Sequence, residues 1–279
     1  MNNRSAEPTF GLEVLYKIDE NYPETLKEYW GEKVVQESLV WFEAACGKAV
    51  EVGAKIICFA VNIDDVSEIE TARGVVEKTS EIAAGFELTF MLKGAGAKDL
   101  DAALLPELIP LLKKPSIIAP VQDKNYVQIV GVAAKGGHTC VLRTPIDINL
   151  TKELNILSID EGLAAENILI DPDMGCVGYG LDYGYSIIER IVAAREGEKG
   201  GGGDKMLDMP IIVFTGVESF KAKEAKSTDF TPFWGPVEVR SLTWEISTTT
   251  ALLCAGADIA IVWHPDTVTA LREVLPCQI

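Results

Sequence analysis

The chain has 279 residues, with 42 acidic against 25 basic side chains and a formal charge of −17. That balance argues against a nucleic-acid or anionic-membrane surface, because both need clustered Lys and Arg. There is ample apolar material for one large core, yet the longest apolar runs, such as Lys55–Val61, fall far short of the ~18 residues of a membrane span.

Short β-branched runs alternate with longer stretches of helical period. The first predicted strand is Gly11–Ile18, and a helix follows whose apolar positions Val35, Leu39, Phe42, Cys46 and Ala49 share one face. The next pairs are strand Lys55–Val61 with helix Val66–Ala84, and strand Phe86–Leu92 with helix Asp101–Lys113, which carries Pro106 and Pro110. Then come strand Ser116–Ala119 with helix Tyr126–Lys135, strand His138–Arg143 with helix Thr151–Gly162, and strand Asn167–Ile170 with helix Ser186–Arg195. Strand Pro210–Phe214 leads through a long connection to helix Val237–Ala255, and strand Asp258–Trp263 precedes a last helix, Asp266–Leu275.

Eight strand–helix units in order predict a TIM-type (β/α)8 barrel over residues 1–279 as a single domain. The strands are near-continuous apolar runs, as expected where helices cover one face and the barrel interior the other. Gly200–Gly203 reads as an exposed loop before the seventh strand. The N-terminal Met-Asn-Asn-Arg-Ser-Ala-Glu-Pro lacks the apolar core of a signal peptide, so a soluble cytoplasmic protein is expected. No two of the six cysteines (Cys46, Cys58, Cys140, Cys176, Cys254 and Cys277) form a CxxC pair, and all are expected as buried thiols, without an iron–sulfur or zinc framework in this chain.

In such a barrel, functional residues sit at the C-terminal ends of the strands. That rule selects Asp19; Asn62, Asp64 and Asp65; Lys93; Gln122 and Asp123; Arg143, Asp147 and Asn149; Asp171 and Asp173; Thr215; and His264 with Asp266. The ring is rich in carboxylates and amides, suited to a polar ligand. GxSxG and HExxH motifs are absent, and the two histidines, His138 and His264, lie on different strands. His138 reads as structural, and His264 as either functional or a packed His-Pro corner.

The segment Asp171–Tyr185 leaves a strand, carries Gly175, Gly178, Gly180 and Gly184, and runs into a helix. Glycines there permit positive φ and close backbone approach to a flat or phosphate-bearing ligand, and Tyr179, Tyr183 and Tyr185 supply rings suited to covering one. The same pattern also fits a tight turn packed on its neighbours.

Several segments together resemble one family: Thr144-Pro-Ile-Asp-Ile-Asn-Leu with Lys152–Leu157, Ile168–Pro172 through Gly178-Tyr-Gly, Tyr185–Ile191, Asp204–Pro210, Lys221–Ala225, Ala255–Asp258 and His264-Pro. They are similar to the small (delta) subunit of the corrinoid iron–sulfur protein of the acetyl-CoA synthase/CO dehydrogenase system. The resemblance runs from about Gly11 to about Val268 and is most specific over Asp171–Ala225. It implies a barrel paired with a larger subunit that carries a 4Fe–4S cluster and a cobalamin-binding domain, with the barrel mouth facing the cobalamin at the heterodimer interface. It also implies transient contact with a methyltetrahydropterin methyltransferase, which supplies the methyl group, and with acetyl-CoA synthase, which receives it. Carried over residue by residue, it makes Asp147, Asn149, Asp171, Gly178, Tyr179 and Gly180 candidate corrinoid-facing residues, contributing packing and hydrogen bonds and no acid–base catalysis. Relative to that family the segment before the first strand is short and Glu196–Gly203 reads as an insertion, the pattern expected of a shortened paralogue.

A second reading is an enzyme, a methyltetrahydropterin-dependent methyltransferase or another pterin-binding, dihydropteroate synthase-like barrel. Asn62, Asp64, Asn149 and Asp171 would then hold the pterin ring. A purely architectural barrel that docks a partner is the third.

Overall fold

The computed structural model describes residues 7–18, 20–31, 38–197 and 202–275. Of the sequence expectations, Asp19, Val35, Cys277 and part of the Gly200–Gly203 loop lie outside these residues. Eight parallel strands are arranged in chain order: β1 Thr9–Leu15, β2 Ile56–Ala60, β3 Thr89–Lys93, β4 Ile117–Val121, β5 Thr139–Arg143, β6 Ile168–Asp171, β7 Ile212–Val213 and β8 Ile259–Val262. The order β6-β5-β4-β3-β2-β1-β8-β7 is cyclic, and a single parallel bridge between Ile170 and Ile211 joins its two ends. There the Ile170 N–H donates to Pro210 O at 2.9 Å. The eight strands therefore form a nearly closed barrel.

Eleven helices accompany them among the described residues: α1 Glu24–Trp30, α2 Ser38–Val52, α3 Ile69–Gly85, α4 Lys98–Leu108, α5 Tyr126–Lys135, α6 Ile148–Asp160, α7 Leu181–Glu196, α8 Thr215–Lys221, α9 Lys223–Lys226, α10 Val237–Ala255 and α11 Pro265–Val274. None is long and apolar enough to cross a membrane.

Side chains alternate across each strand, so one set packs under the helices and the other fills the barrel. Leu12, Ile57, Phe59, Leu92, Ile118, Leu142, Ile170 and Val262 belong to the outer layer, against helix residues such as Phe42, Leu105, Ile129 and Ile188. Ile56, Cys58, Met91, Ile117, Val141, Leu169, Ile212 and Ile261 belong to the inner one. Each large side chain removed from water in this way contributes roughly 1.5–3 kcal/mol.

The differences from the sequence reading have local causes. Helix α4 begins at Lys98 rather than Asp101, because the Asp101 carboxylate turns back to accept Ala95 N–H at 2.8 Å and Gly96 N–H at 2.9 Å. The connection after β7 is not loop throughout; it holds the short helices α8 and α9. Helix α1 was not expected at all. Cys46, Cys58, Cys140 and Cys176 are buried, but Cys254 is exposed, because it lies on the outward face of α10.

Candidate functional site

Two ion pairs and one aromatic ring fill the upper barrel interior. Lys93, the last residue of β3, donates to both carboxylate oxygens of Glu13 on β1, at 2.7 and 2.9 Å. Arg143 at the end of β5 donates through Nε to Asp171 Oδ2 at 2.6 Å. The Phe214 ring follows β7, and its centre lies 5.3 Å from both Lys93 Nζ and Arg143 Cζ. Glu13, Lys93 and Asp171 are all buried. Burial opposes the charge on Arg143, but Asp171 outweighs it and pushes the guanidinium further up from its ordinary value. Two cations against two carboxylates leave no net formal charge.

Above this layer, neighbouring loops interlock. Asp171 Oδ1 accepts the N–H of Asp173, whose own carboxyl is raised by burial despite nearby Arg143. The Thr144 N–H donates to Asp171 O at 3.0 Å and the Ile146 N–H to Pro172 O at 3.0 Å, so the loops after β5 and β6 run together. Ile146 and Asp173 adopt positive φ, 50° and 53°. For β-branched Ile146 that conformation is strained and persists only because the surroundings hold it.

The glycine-rich segment is a knot tied to α10. Cys176 O accepts the N–H groups of Tyr179 (2.9 Å) and Leu181 (3.2 Å). At Gly175 a Cβ would come within 2.0 Å of Tyr179 O, so only glycine allows the turn to close. Gly180, φ 92°, takes the left-handed conformation that starts α7. From α10, Trp244 Nε1 donates to Val177 O at 3.1 Å and Thr248 Oγ1 accepts the Val177 N–H at 3.2 Å. The Tyr179 hydroxyl donates to Glu224 Oε2 at 3.0 Å, and that bond raises its pKa. Beside the knot lies an open depression of about 510 Å³, lined by Val177, Gly178, Gly180, Leu181, Asp182 and Tyr185.

The six residues expected to face a ligand are therefore divided. Gly178 and Gly180 line the depression, and half-exposed Tyr179 stands on the same knot. Asp147 and Asn149 are exposed at the start of α6, on the adjacent loop; Asp147 caps that helix through the N–H groups of Asn149 (2.8 Å) and Leu150 (3.1 Å). Asp171 is buried beneath them in its ion pair. Asn62 is engaged at both ends of its amide with the Lys17 backbone, at 2.9 and 2.8 Å. His138 Nδ1 accepts from Ser116 N–H, and His264 Nδ1 accepts from Asp266 N–H at the start of α11, so each has a structural partner.

Several residues that shape the site escaped the strand-end rule. Glu13 lies mid-strand, Phe214 between β7 and α8, and Trp244 within α10. Glu245, fully buried in α10, accepts from Trp263 N–H (2.7 Å), His264 N–H (3.2 Å) and Thr267 Oγ1, fixing the β8–α11 corner. The one available signal was a lone carboxylate inside an apolar strand at Glu13.

The family described as CO dehydrogenase/acetyl-CoA synthase delta subunit matches residues 7–271. The chain belongs to that family. A relative named acetyl-CoA decarbonylase/synthase complex subunit delta, from Archaeoglobus fulgidus, is 30% identical over 77% of this chain and 48% of its own length. Delta 1 of Methanosarcina thermophila is 26% identical over 92% of this chain and 57% of its own, and the Methanopyrus kandleri subunit is 25% identical over 98% and 66%. This member of the delta family thus spans about half to two thirds of the curated relatives it matches. Among solved structures it is similar to Yersinia pestis dihydropteroate synthase with a sulfonamide drug (TM-score 0.63, 13% identity, 98% of this chain and 94% of that one). It is similar also to Xanthomonas albilineans dihydropteroate synthase with 4-aminobenzoic acid (TM-score 0.63, 12% identity, 97% and 92%). These likenesses are to the barrel fold. Among the described residues, no three His, Cys, Asp or Glu side chains are grouped so as to hold a metal.

Proposed function

We propose that this delta-family barrel is a subunit of an acetyl-CoA decarbonylase/synthase-type complex. In this reading its mouth covers a corrinoid carried by a larger, 4Fe–4S-containing subunit. The match to the delta family across residues 7–271 carries the reading. Bound cobalamin would supply a cobalt that accepts and gives up a methyl group, between a methyltetrahydropterin methyltransferase and acetyl-CoA synthase.

The residues present fit a covering role. A corrin is broad and flat, with a fringe of amides, and needs an open face rather than a deep pocket. Gly178 and Gly180 line the open depression with backbone, Tyr185 lines it too, and half-exposed Tyr179 offers its ring from the same knot. Asp147 and Asn149 extend this polar rim onto the next loop. Asp171 acts one layer down: it holds Arg143 and the Asp173 amide, and so positions the knot. Cobalt ligation and cluster binding fall to the partner.

The pterin-binding reading is favoured by the likeness to dihydropteroate synthases and by the carboxylates at the mouth. The filled barrel top weighs against it. Glu13–Lys93, Arg143–Asp171 and Phe214 occupy the upper interior, and Asn62 and Asp171 already have internal partners. A test is to co-express Tyr179→Ala and Asn149→Ala with the corrinoid-carrying subunit. Reduced cobalamin retention or methyl transfer with an unchanged melting temperature is expected. Unchanged retention and transfer in both would contradict the reading, and turnover of a methylpterin by the lone chain would favour the enzyme.

A further inference from the structure

Arg240, Trp244 and Thr248 share one face of α10 at spacing i, i+4 and i+8. Trp244 and Thr248 bond Val177 of the knot. Arg240 bonds the segment beside it. Its side chain is buried, and the guanidinium donates to Glu224 O at 2.5 Å, to Gly235 O at 2.8 Å and to Ser227 O. The Phe230 ring centre lies 4.6 Å from its Cζ. A buried cation is costly unless its donors are met, and three backbone carbonyls meet them here. The rigid guanidinium fork serves acceptors at three points of the chain at once, which a lysine ammonium on a flexible stem does not reproduce.

The consequence falls on α9. A four-residue helix does not hold its own orientation in water. Ala222 and Ala225 pack it with Cys176 against Trp244, and Arg240 ties it down at the Glu224 carbonyl. The Glu224 side chain then accepts the Tyr179 hydroxyl at 3.0 Å. Tyr179 is 52% exposed, so packing alone does not choose the direction of its ring. The bond to Glu224 does, and a buried cation on α10 is thereby linked to an exposed ring on the knot.

We infer that Arg240 is a positioning residue for Tyr179: it fixes α9, α9 sets where the Glu224 carboxylate stands, and Glu224 holds the Tyr179 ring in one orientation. That the ring meets a corrinoid rests on the reading above. That Arg240 sets its orientation does not.

The full chain labelled with 3-fluorotyrosine and read by fluorine NMR tests this, with the Tyr179 line identified by its loss in Tyr179→Phe. The bond to the Glu224 carboxylate raises the ionisation of the Tyr179 hydroxyl, so Glu224→Gln should move the line and lower its titration midpoint. Arg240→Lys, which keeps the charge but not the three-way donation, should move line and midpoint in the same direction, although it does not touch Tyr179. The double variant Arg240→Lys/Glu224→Gln should go no further than Glu224→Gln alone, because both changes act through one carboxylate. Should Arg240→Lys fail to fold, Arg240→Gln, which keeps a planar donor head, carries the same comparison. A lower melting temperature in the Arg240 variant with the Tyr179 line and midpoint unmoved would make Arg240 merely structural and overturn the inference. Additive shifts in the double variant would overturn the route through Glu224. A Tyr179 line moved by Arg240→Lys, alongside unchanged cobalamin retention in Tyr179→Ala, would support the positioning and contradict the covering role.

Discussion

Lys93 and Glu13 come from strands two apart in the barrel and meet at 2.7 Å in its buried interior, where the ammonium bridges both carboxylate oxygens. The Lys93 ammonium also lies 5.3 Å from the Phe214 ring centre, so the pair and that ring pack together inside the barrel. Removing one partner leaves the other buried and uncompensated, which costs roughly 3–5 kcal/mol. Lys93→Met and Glu13→Leu should each show that loss in urea unfolding. The double variant, which replaces charge by apolar volume, should recover most of it.

Glu245 gives the fold a pH dependence of defined sign. Burial raises its carboxyl from 4.5 to about 7, against the hydrogen bonds from Thr267, Trp263 and His264 that lower it. The folded state thus holds this proton more tightly than the unfolded chain. Its stabilising effect is complete below the unfolded value and is lost as pH rises through the folded one. The difference corresponds to about 3 kcal/mol. Melting temperatures of the parent and Glu245→Gln, taken from about pH 5 to about pH 8.5, should diverge with rising pH as the parent alone loses stability.

Gly175 tests the knot. A methyl group there meets Tyr179 O at 2.0 Å, a backbone atom that cannot rotate aside. Gly175→Ala should therefore shift residues 175–180, lower stability by roughly 1–3 kcal/mol and open the segment to proteolysis. Limited digestion read by mass spectrometry would report the site of cutting.

Tyr179 separates stability from function. Its hydroxyl is bonded to Glu224 on the surface, where water competes for both partners and one hydrogen bond adds little to stability. Tyr179→Phe should leave the unfolding midpoint nearly unchanged, and Tyr179→Ala should reduce cobalamin retention in the complex more than Tyr179→Phe does. That ranking separates the ring from the hydroxyl.

The sequence made the barrel legible because eight short apolar runs alternate with helical stretches, a pattern few folds share. Short elements were harder. Helices α1, α8 and α9 have seven, seven and four residues, too few for a helical period to stand out, and are held by tertiary contacts. The strand-end rule found Lys93, Arg143 and Asp171 but not their arrangement. Glu13 and Lys93 are 80 residues apart, and nothing local says that they pair. Asp171 was expected to face a ligand, yet a strand-end carboxylate next to Arg143 is drawn into the barrel by that cation. The glycine knot was visible as composition, whereas its attachment to α10 through Trp244 and Thr248 depends on residues about 70 positions away.

Whether the barrel covers a corrinoid can be read from cobalt analysis after anaerobic co-expression of this chain with a corrinoid- and cluster-carrying subunit. A stable heterodimer that retains equimolar cobalt through size exclusion is expected, with retention falling when Tyr179 is replaced by alanine. A chain that elutes alone, while the corrinoid subunit keeps its cobalt without it, would rule out a covering role for this barrel.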